Sequence, residues 1–87
     1  MENLVGRICI SRAGNDKGVV YIIVDDGEVA TTGRLKIADG VKRTLEKPAV
    51  KNVRHLGITK KRAGDISSDL KMAGEIKKFE RDGFNSI

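Results

Sequence analysis

The stretch Val19-Val20-Tyr21-Ile22-Ile23-Val24, set between Gly18 and the turn signal Asp25-Asp26-Gly27, constrains this chain more than any other feature. It is the longest uninterrupted apolar run in the sequence, and its six residues fall far short of the roughly 20 that a membrane-spanning helix needs. Rich in β-branched residues and apolar on both alternating faces, it reads as a central strand. A chain of 87 residues can build only one modest core around it, since a domain of this size buries about 60% of its unfolded surface. Apolar residues make up 39% and charged residues 33%, the balance of a folded globule with a heavily charged skin. Cys9 is the only cysteine, so neither an intramolecular disulfide nor a multi-cysteine metal site can form within the chain. The first twenty residues carry charges at Glu2, Arg7, Arg12, Asp16 and Lys17 and lack the pattern of a secretory leader, so the cytoplasm is expected.

The rest of the front two-thirds reads as short strands punctuated by glycine turns. From Leu4 to Ser11, Leu4, Ile8 and Ile10 share a face with Gly6 while Arg7 and Ser11 share the other, a half-buried strand. Gly14-Asn15-Asp16-Lys17-Gly18 forms a tight connection to the central strand, with two glycines and two Asx residues suited to left-handed backbone angles. Asp25-Asp26-Gly27-Glu28 turns the chain into extended segments at Val29 to Thr32 and, past Gly33, Arg34 to Ala38. At Ala38-Asp39-Gly40, a two-residue loop would split the apolar set between two faces. A three-residue loop with Gly40 left-handed instead pairs Ile37 with Val41 and gathers Leu35, Ile37, Val41 and Leu45 on one face. That register predicts a basic stripe of Arg34, Lys36 and Lys42 with Thr44 on the outer face of a rigid hairpin, and Arg43 near the rim. Pro48 is expected to end the fourth strand, and Lys51 to Leu56 to make a fifth with Val53 inward.

Five short strands in so little chain need closure to hide their edges, so the expectation is a mainly β fold, a small SH3-like five-stranded barrel over residues 1–59. Residues 60–87 read as a basic connector and a C-terminal helical tail. Ser67 or Ser68 caps that helix, Asp69 lies in its first turn, Leu70, Ala73, Ile76 and Phe79 form its apolar face, and Gly83 stops it. The tail either docks on the barrel or stays mobile.

Charge is distributed unevenly. Residues 1–38 and 65–87 are close to neutral, whereas residues 39–64 hold eight basic residues, Lys42, Arg43, Lys47, Lys51, Arg54, Lys60, Lys61 and Arg62, against Asp39 and Glu46, a net +6. Such a block attracts polyanions and steers their association, which points to nucleic acid. Only three aromatics occur, Tyr21, Phe79 and Phe84, two of them in the tail. A base-stacking platform for single strands is therefore not expected, and folded RNA read by shape and phosphate contacts is.

The segment Gly6 to Val24, a strand, a glycine-bounded loop ending in Lys17-Gly18 and an apolar strand, resembles a KOW motif. Ile37-Ala38-Asp39-Gly40-Val41-Lys42-Arg43 and Val53-Arg54-His55-Leu56 resemble the remainder of the small KOW-domain RNA-binding proteins related to certain large-subunit ribosomal proteins. The similarity covers about residues 4–59. Two departures stand out: Tyr21 replaces a glycine common in KOW motifs, and Asn15 and Asp16 stand where extra basic residues often do. The resemblance implies a small barrel binding structured RNA, ribosomal RNA above all, through its loops and basic face, with ribosomal proteins as further neighbours and a ribosome-associated role in translation. The resemblance says nothing about residues 60–87; the loop and the basic residues taken together give as candidate RNA contacts Arg12, Gly14, Lys17, Gly18, Arg34, Lys36, Lys42, Arg43, Lys47, Lys51, Arg54, His55, Lys60, Lys61 and Arg62. Physically, Gly14 and Gly18 let backbone N–H groups approach a phosphate unobstructed, and Lys17 adds a charge there.

No catalytic constellation emerges. Ser11, His55 and Asp25 lack a local nucleophile motif, and Asp25, Asp26 and Glu28 lack calcium-loop spacing. Cys9, between Ile8 and Ile10, reads as a packing thiol. His55 stands equally between an RNA contact and a solvated rim residue. The expectation is a monomeric, non-enzymatic module without cofactor, metal, membrane or small-molecule substrate. The alternative is a protein-interaction barrel docking on a transcription or translation factor, with its helical tail as the docking element.

Overall fold

The computed structural model describes residues 3–82. The chain runs β1 (Arg7–Ser11), β2 (Val20–Asp25), α1 (Val29–Thr32), β3 (Arg34–Ala38), β4 (Ala49–Asn52), a 3-10 turn (Val53–His55), β5 (Leu56–Arg62) and α2 (Asp69–Asp82). The five strands form one antiparallel sheet in the order β4-β3-β2-β1-β5, with the apolar run at its centre. The fold is mainly β with a C-terminal helix.

Strand alternation sends side chains into two cores. On one face Ile8, Val20, Ile22 and Ala38 pack beneath Met72, Ile76 and Phe79 of α2. On the other, Cys9, Tyr21, Ile23, Leu35, Ile37 and Leu56 gather, with Leu4, Val29, Ala49, Val53 and Ile58 packed against them. β1 is therefore covered on both faces rather than half-buried, and Leu4 belongs to the opposite core from Ile8. The cause is α2, which covers the face on which Ile8 and Ile22 lie and leaves the other to a second core.

Three expected elements differ. Val29 to Thr32 is a single helical turn, not a strand. The Thr31 and Thr32 hydroxyls donate back to Glu28 O at 3.3 and 3.0 Å, an option that draws threonine out of extended structure. The expected β-hairpin after Ala38 does not form either. Gly40 is left-handed as foreseen, at φ 82°, but Asp39 Oδ1 accepts the N–H groups of both Val41 and Arg43 at 2.9 Å. The Asp39 and Gly40 N–H groups in turn donate to Arg43 O at 2.9 and 3.0 Å. Residues 39–43 thus close on themselves, and Ile37 pairs with Ala49 instead of Val41. Pro48 precedes β4 rather than ending a strand, a position where its missing N–H costs the ladder nothing. Lys51 to Leu56 divides between β4, the 3-10 turn and β5, with Val53 inward as expected.

β5 continues through Lys60, Lys61 and Arg62, so the position between residues 59 and 60 lies inside a strand. Beyond it α2 docks on the sheet. Ser68 Oγ accepts the Lys71 N–H at 3.2 Å, as a cap does. The helix buries Met72, Ile76 and Phe79, while Leu70, expected on the apolar face, is 82% exposed. At Gly40 a Cβ would collide with the Asp69 carbonyl oxygen and lie 3.0 Å from Ala73 N, so the loop backbone lies directly against the first turns of α2. The expected stop at Gly83 lies outside the described residues.

Candidate nucleic-acid interface

The loop between β1 and β2 is organised around one carboxylate. Asp16 Oδ1 accepts from Ser11 Oγ and Lys51 Nζ, both at 2.8 Å, and Oδ2 accepts from Tyr21 Oη at 2.8 Å. These donors come from β1, β2 and β4, so Asp16 pins the loop onto three strands. The Lys51 ammonium in particular, with the two hydroxyls, holds the Asp16 carboxyl down at about 2 against an opposing effect of burial. Burial first, and the Asp16 carboxylate second, push the Tyr21 phenol up to about 12.

Arg12, Gly14, Lys17 and Gly18 sit on this loop, with the Arg12 and Lys17 side chains exposed. The expected phosphate cradle of backbone N–H groups is only partly available, because the Gly18 N–H donates to Ser11 O at 2.8 Å and the Lys17 N–H to Gly14 O at 3.3 Å. These bonds close the loop, so its positive character lies in the Arg12 and Lys17 side chains.

The loop has two basic neighbours. On one side the Arg12 N–H donates to His55 O at 2.8 Å, which sets Arg12 beside the 3-10 turn where Arg54 and His55 are exposed. On the other, Asn15 and Asp16 face the 39–47 loop across an open groove of about 960 Å³ that Lys42, Arg43 and Lys51 also line. Lys42, Arg43 and Lys47 are exposed. Lys51 differs from the others, because its ammonium is engaged by Asp16 at 2.8 Å and its charge is largely answered within the fold.

Arg34 and Lys36 point outward from β3, but they are not joined by Lys42 and Thr44 in a stripe on one hairpin. Their neighbours on the surface are Asp25, Glu28 and Val50, so acidic residues share their depression. Lys60, Lys61 and Arg62 form a separate group. The register Ser11↔Leu56 and Arg7↔Arg62 puts Arg62 at the far end of β1 from Arg12, roughly 16 Å along the strand. There Arg62 donates to Val5 O at 2.9 Å and Asn3 O at 2.6 Å, and Lys61 and Arg62 share a cleft with Glu75, Lys78 and Asp82 of α2. The +6 segment is thus split between two ends of the sheet.

Asp16, which stands where KOW loops often carry a basic residue, is the anchor of the loop. The signal was present in an Asx residue two positions before Gly18, in reach of Ser11 and Tyr21 on the adjoining strands. The exposure of Val41 and Val50 escapes the sequence pattern, because the hairpin register buries Val41. Cys9 is fully buried, which pushes its thiol up to about 12 and makes it inert. Among the described residues no group of three or more His, Cys, Asp or Glu side chains is placed to hold a metal ion, and no helix is long and apolar enough to cross a membrane. No protein-family model matches the chain, and no curated protein matches it.

Proposed function

We propose that this protein binds structured RNA, ribosomal RNA in the first instance, as a monomeric KOW-type domain of SH3-like barrel form that works without a catalytic step and acts on ribosomes in the cytoplasm. The observation that carries this reading is the convergence on the β1–β2 loop: Lys17 on the loop itself, Arg12 beside Arg54 and His55, and Lys42 and Arg43 across the groove. The chain's net charge is +5, and the acidic residues nearest this surface, Asp16 and Asp39, are occupied by hydrogen bonds. An electropositive surface of this kind favours phosphate contacts over base stacking. The barrel form is supported by a strand order in which β1 pairs with both β2 and β5 and by the 3-10 turn that carries the chain from β4 to β5. Lys60, Lys61 and Arg62 are assigned to a second contact at the other end of the sheet.

The competing reading, a barrel that docks on a transcription or translation factor, is favoured by the exposed Val41 and Val50. Sedimentation from lysate on a sucrose gradient, with and without ribonuclease, separates the two. Comigration with a ribosomal subunit that high salt and ribonuclease abolish supports RNA binding. A ribonuclease-resistant complex with one protein, away from ribosomes, overturns it. In purified form, log affinity for RNA should fall linearly with log salt, and Lys42→Ala with Arg43→Ala should flatten the slope by about 0.7 to 0.9 for each phosphate that is no longer neutralised.

A further inference from the structure

The described residues include five large aliphatic side chains that remain exposed, and three of them line one groove: Val41 at 71%, Val50 at 56% and Val19 at 39%. They come from three separate segments, the 39–43 turn, β4 and the end of the β1–β2 loop, so no single amphipathic element accounts for their meeting. Within the groove both carboxylates accept hydrogen bonds, but among the described residues only Asp16 has a cationic partner. Asp16 receives Lys51, Ser11 and Tyr21, and Asp39 receives two backbone N–H groups. Lys42 and Arg43 remain on the rim without a side-chain hydrogen bond or ion pair among the described residues.

A surface that only tracks phosphates needs cations and hydrogen-bond donors, and an RNA duplex offers it sugar and phosphate oxygens. Apolar walls have no partner in such a complex. A base that has left the stack has two apolar faces and stays tethered to a phosphate, which matches aliphatic walls beneath a cationic rim. Resting on the RNA-binding reading above, we propose that this groove receives one unstacked nucleotide of the bound RNA, its base against Val19, Val41 and Val50 and its phosphate on Lys42 or Arg43. The groove thereby makes the protein a reader of bulged or looped RNA rather than of duplex as such.

The test uses the full chain and two labelled RNA hairpins of one stem sequence, fully paired or carrying a single bulged adenosine, with a peptide rich in glutamate and valine as a third probe. The bulged hairpin should bind about tenfold tighter, an effect in the range of burying a few tens of Å² of apolar surface on each side of the contact. Val41→Ser with Val50→Ser should erase that preference and leave the salt slope intact, whereas Lys42→Ala with Arg43→Ala should weaken both hairpins and flatten the slope. If the double valine variant fails to fold, Val41→Ser alone, in a turn outside every strand, should reduce the preference about threefold by removing apolar surface from the groove wall. Equal affinity for the two hairpins, unmoved by the valine changes, overturns the nucleotide pocket while leaving RNA binding standing. Binding of neither hairpin at low salt overturns both, and peptide binding abolished by Val41→Ser assigns the groove to a protein partner instead.

Discussion

Two loops face each other across the groove, and they are held in place by different means. The β1–β2 loop carries its own anchor: Asp16 gathers hydroxyls from the strands on either side of it and one ammonium from β4, and Gly14 and Gly18 take the left-handed angles its tight path requires. The loop between β3 and β4 is shaped at its start by Asp39, but its position comes from outside. Leu45 N–H donates to Asp69 Oδ1 at 2.8 Å, and Gly40 lies against the backbone of Asp69 and Ala73 in α2. A loop of the first kind keeps its geometry wherever its two strands pair. A loop of the second kind depends on a helix about thirty residues further along the chain, so its basic residues are only as well placed as α2 is docked.

The sharpest way to break this symmetry is through the glycines. Gly40→Ala forces a Cβ into the Asp69 carbonyl at a left-handed φ of 82°, and should destabilise the protein by about 3 kcal/mol or dislodge α2. Gly18→Ala meets nothing within 4 Å and carries only the backbone strain of φ 91°, about 1 kcal/mol. Urea unfolding of both variants measures the difference, and equal losses would mean that α2 does not press on the loop.

Asp16→Ala should cost about 2 kcal/mol, because it leaves the Tyr21 and Ser11 hydroxyls and the Lys51 ammonium without their shared acceptor. By the same logic, wild-type stability should decline in acid. The Asp16 carboxyl is lowered to about 2 in the fold, so its contribution is complete above the ordinary value near 3.8 and is lost as pH falls from there toward 2. Asp16→Asn should remove this part of the acid dependence. In alkali the sign reverses: with Tyr21 raised from 10.0 to about 12, the unfolded chain ionises first, and stability present below pH 10 should drain away between pH 10 and 12. Tyr21→Phe should flatten that limb.

A smaller effect is expected at the outer loop's tether. Asp69→Ala removes the acceptor for Leu45 N–H and an acidic residue from the first turn of α2, about 1 kcal/mol in all. Amide exchange should then quicken at Leu45 and Arg43 but not at Gly18. An equal rise at Gly18 would show the two loops to be one cooperative unit.

The same contrast decides what could be read in advance. The β1–β2 connection was legible because its determinants lie within a few residues of each other: paired glycines, Asx residues between them, and apolar strands on both sides. The β3–β4 region was not. Leu35, Ile37, Val41 and Leu45 satisfied a hairpin pattern, and nothing local revealed that the Asp39 carboxylate would capture the N–H groups of Val41 and Arg43 or that α2 would occupy the neighbouring space. The helix is foreseen at its start, after Ser68, yet its buried stripe runs through Met72, Ile76 and Phe79 rather than starting at Leu70, and the backbone at Gly40 lies against its first turns. Of the candidate contacts, the sequence identified the basic residues but not their grouping.

By itself, the sequence determined a central apolar strand, a glycine-closed loop before it, a basic middle segment and a C-terminal helix, since each depends on residue type and short-range spacing. Only the tertiary structure decided which strand follows β3, that both faces of β1 are covered, that Lys51 answers Asp16, and that Lys42 and Arg43 stand with three valines while Lys60 to Arg62 lie at the other end of the sheet. Those outcomes rest on contacts between residues far apart in the chain, where several registers satisfy the same local pattern and the packing of the whole selects one.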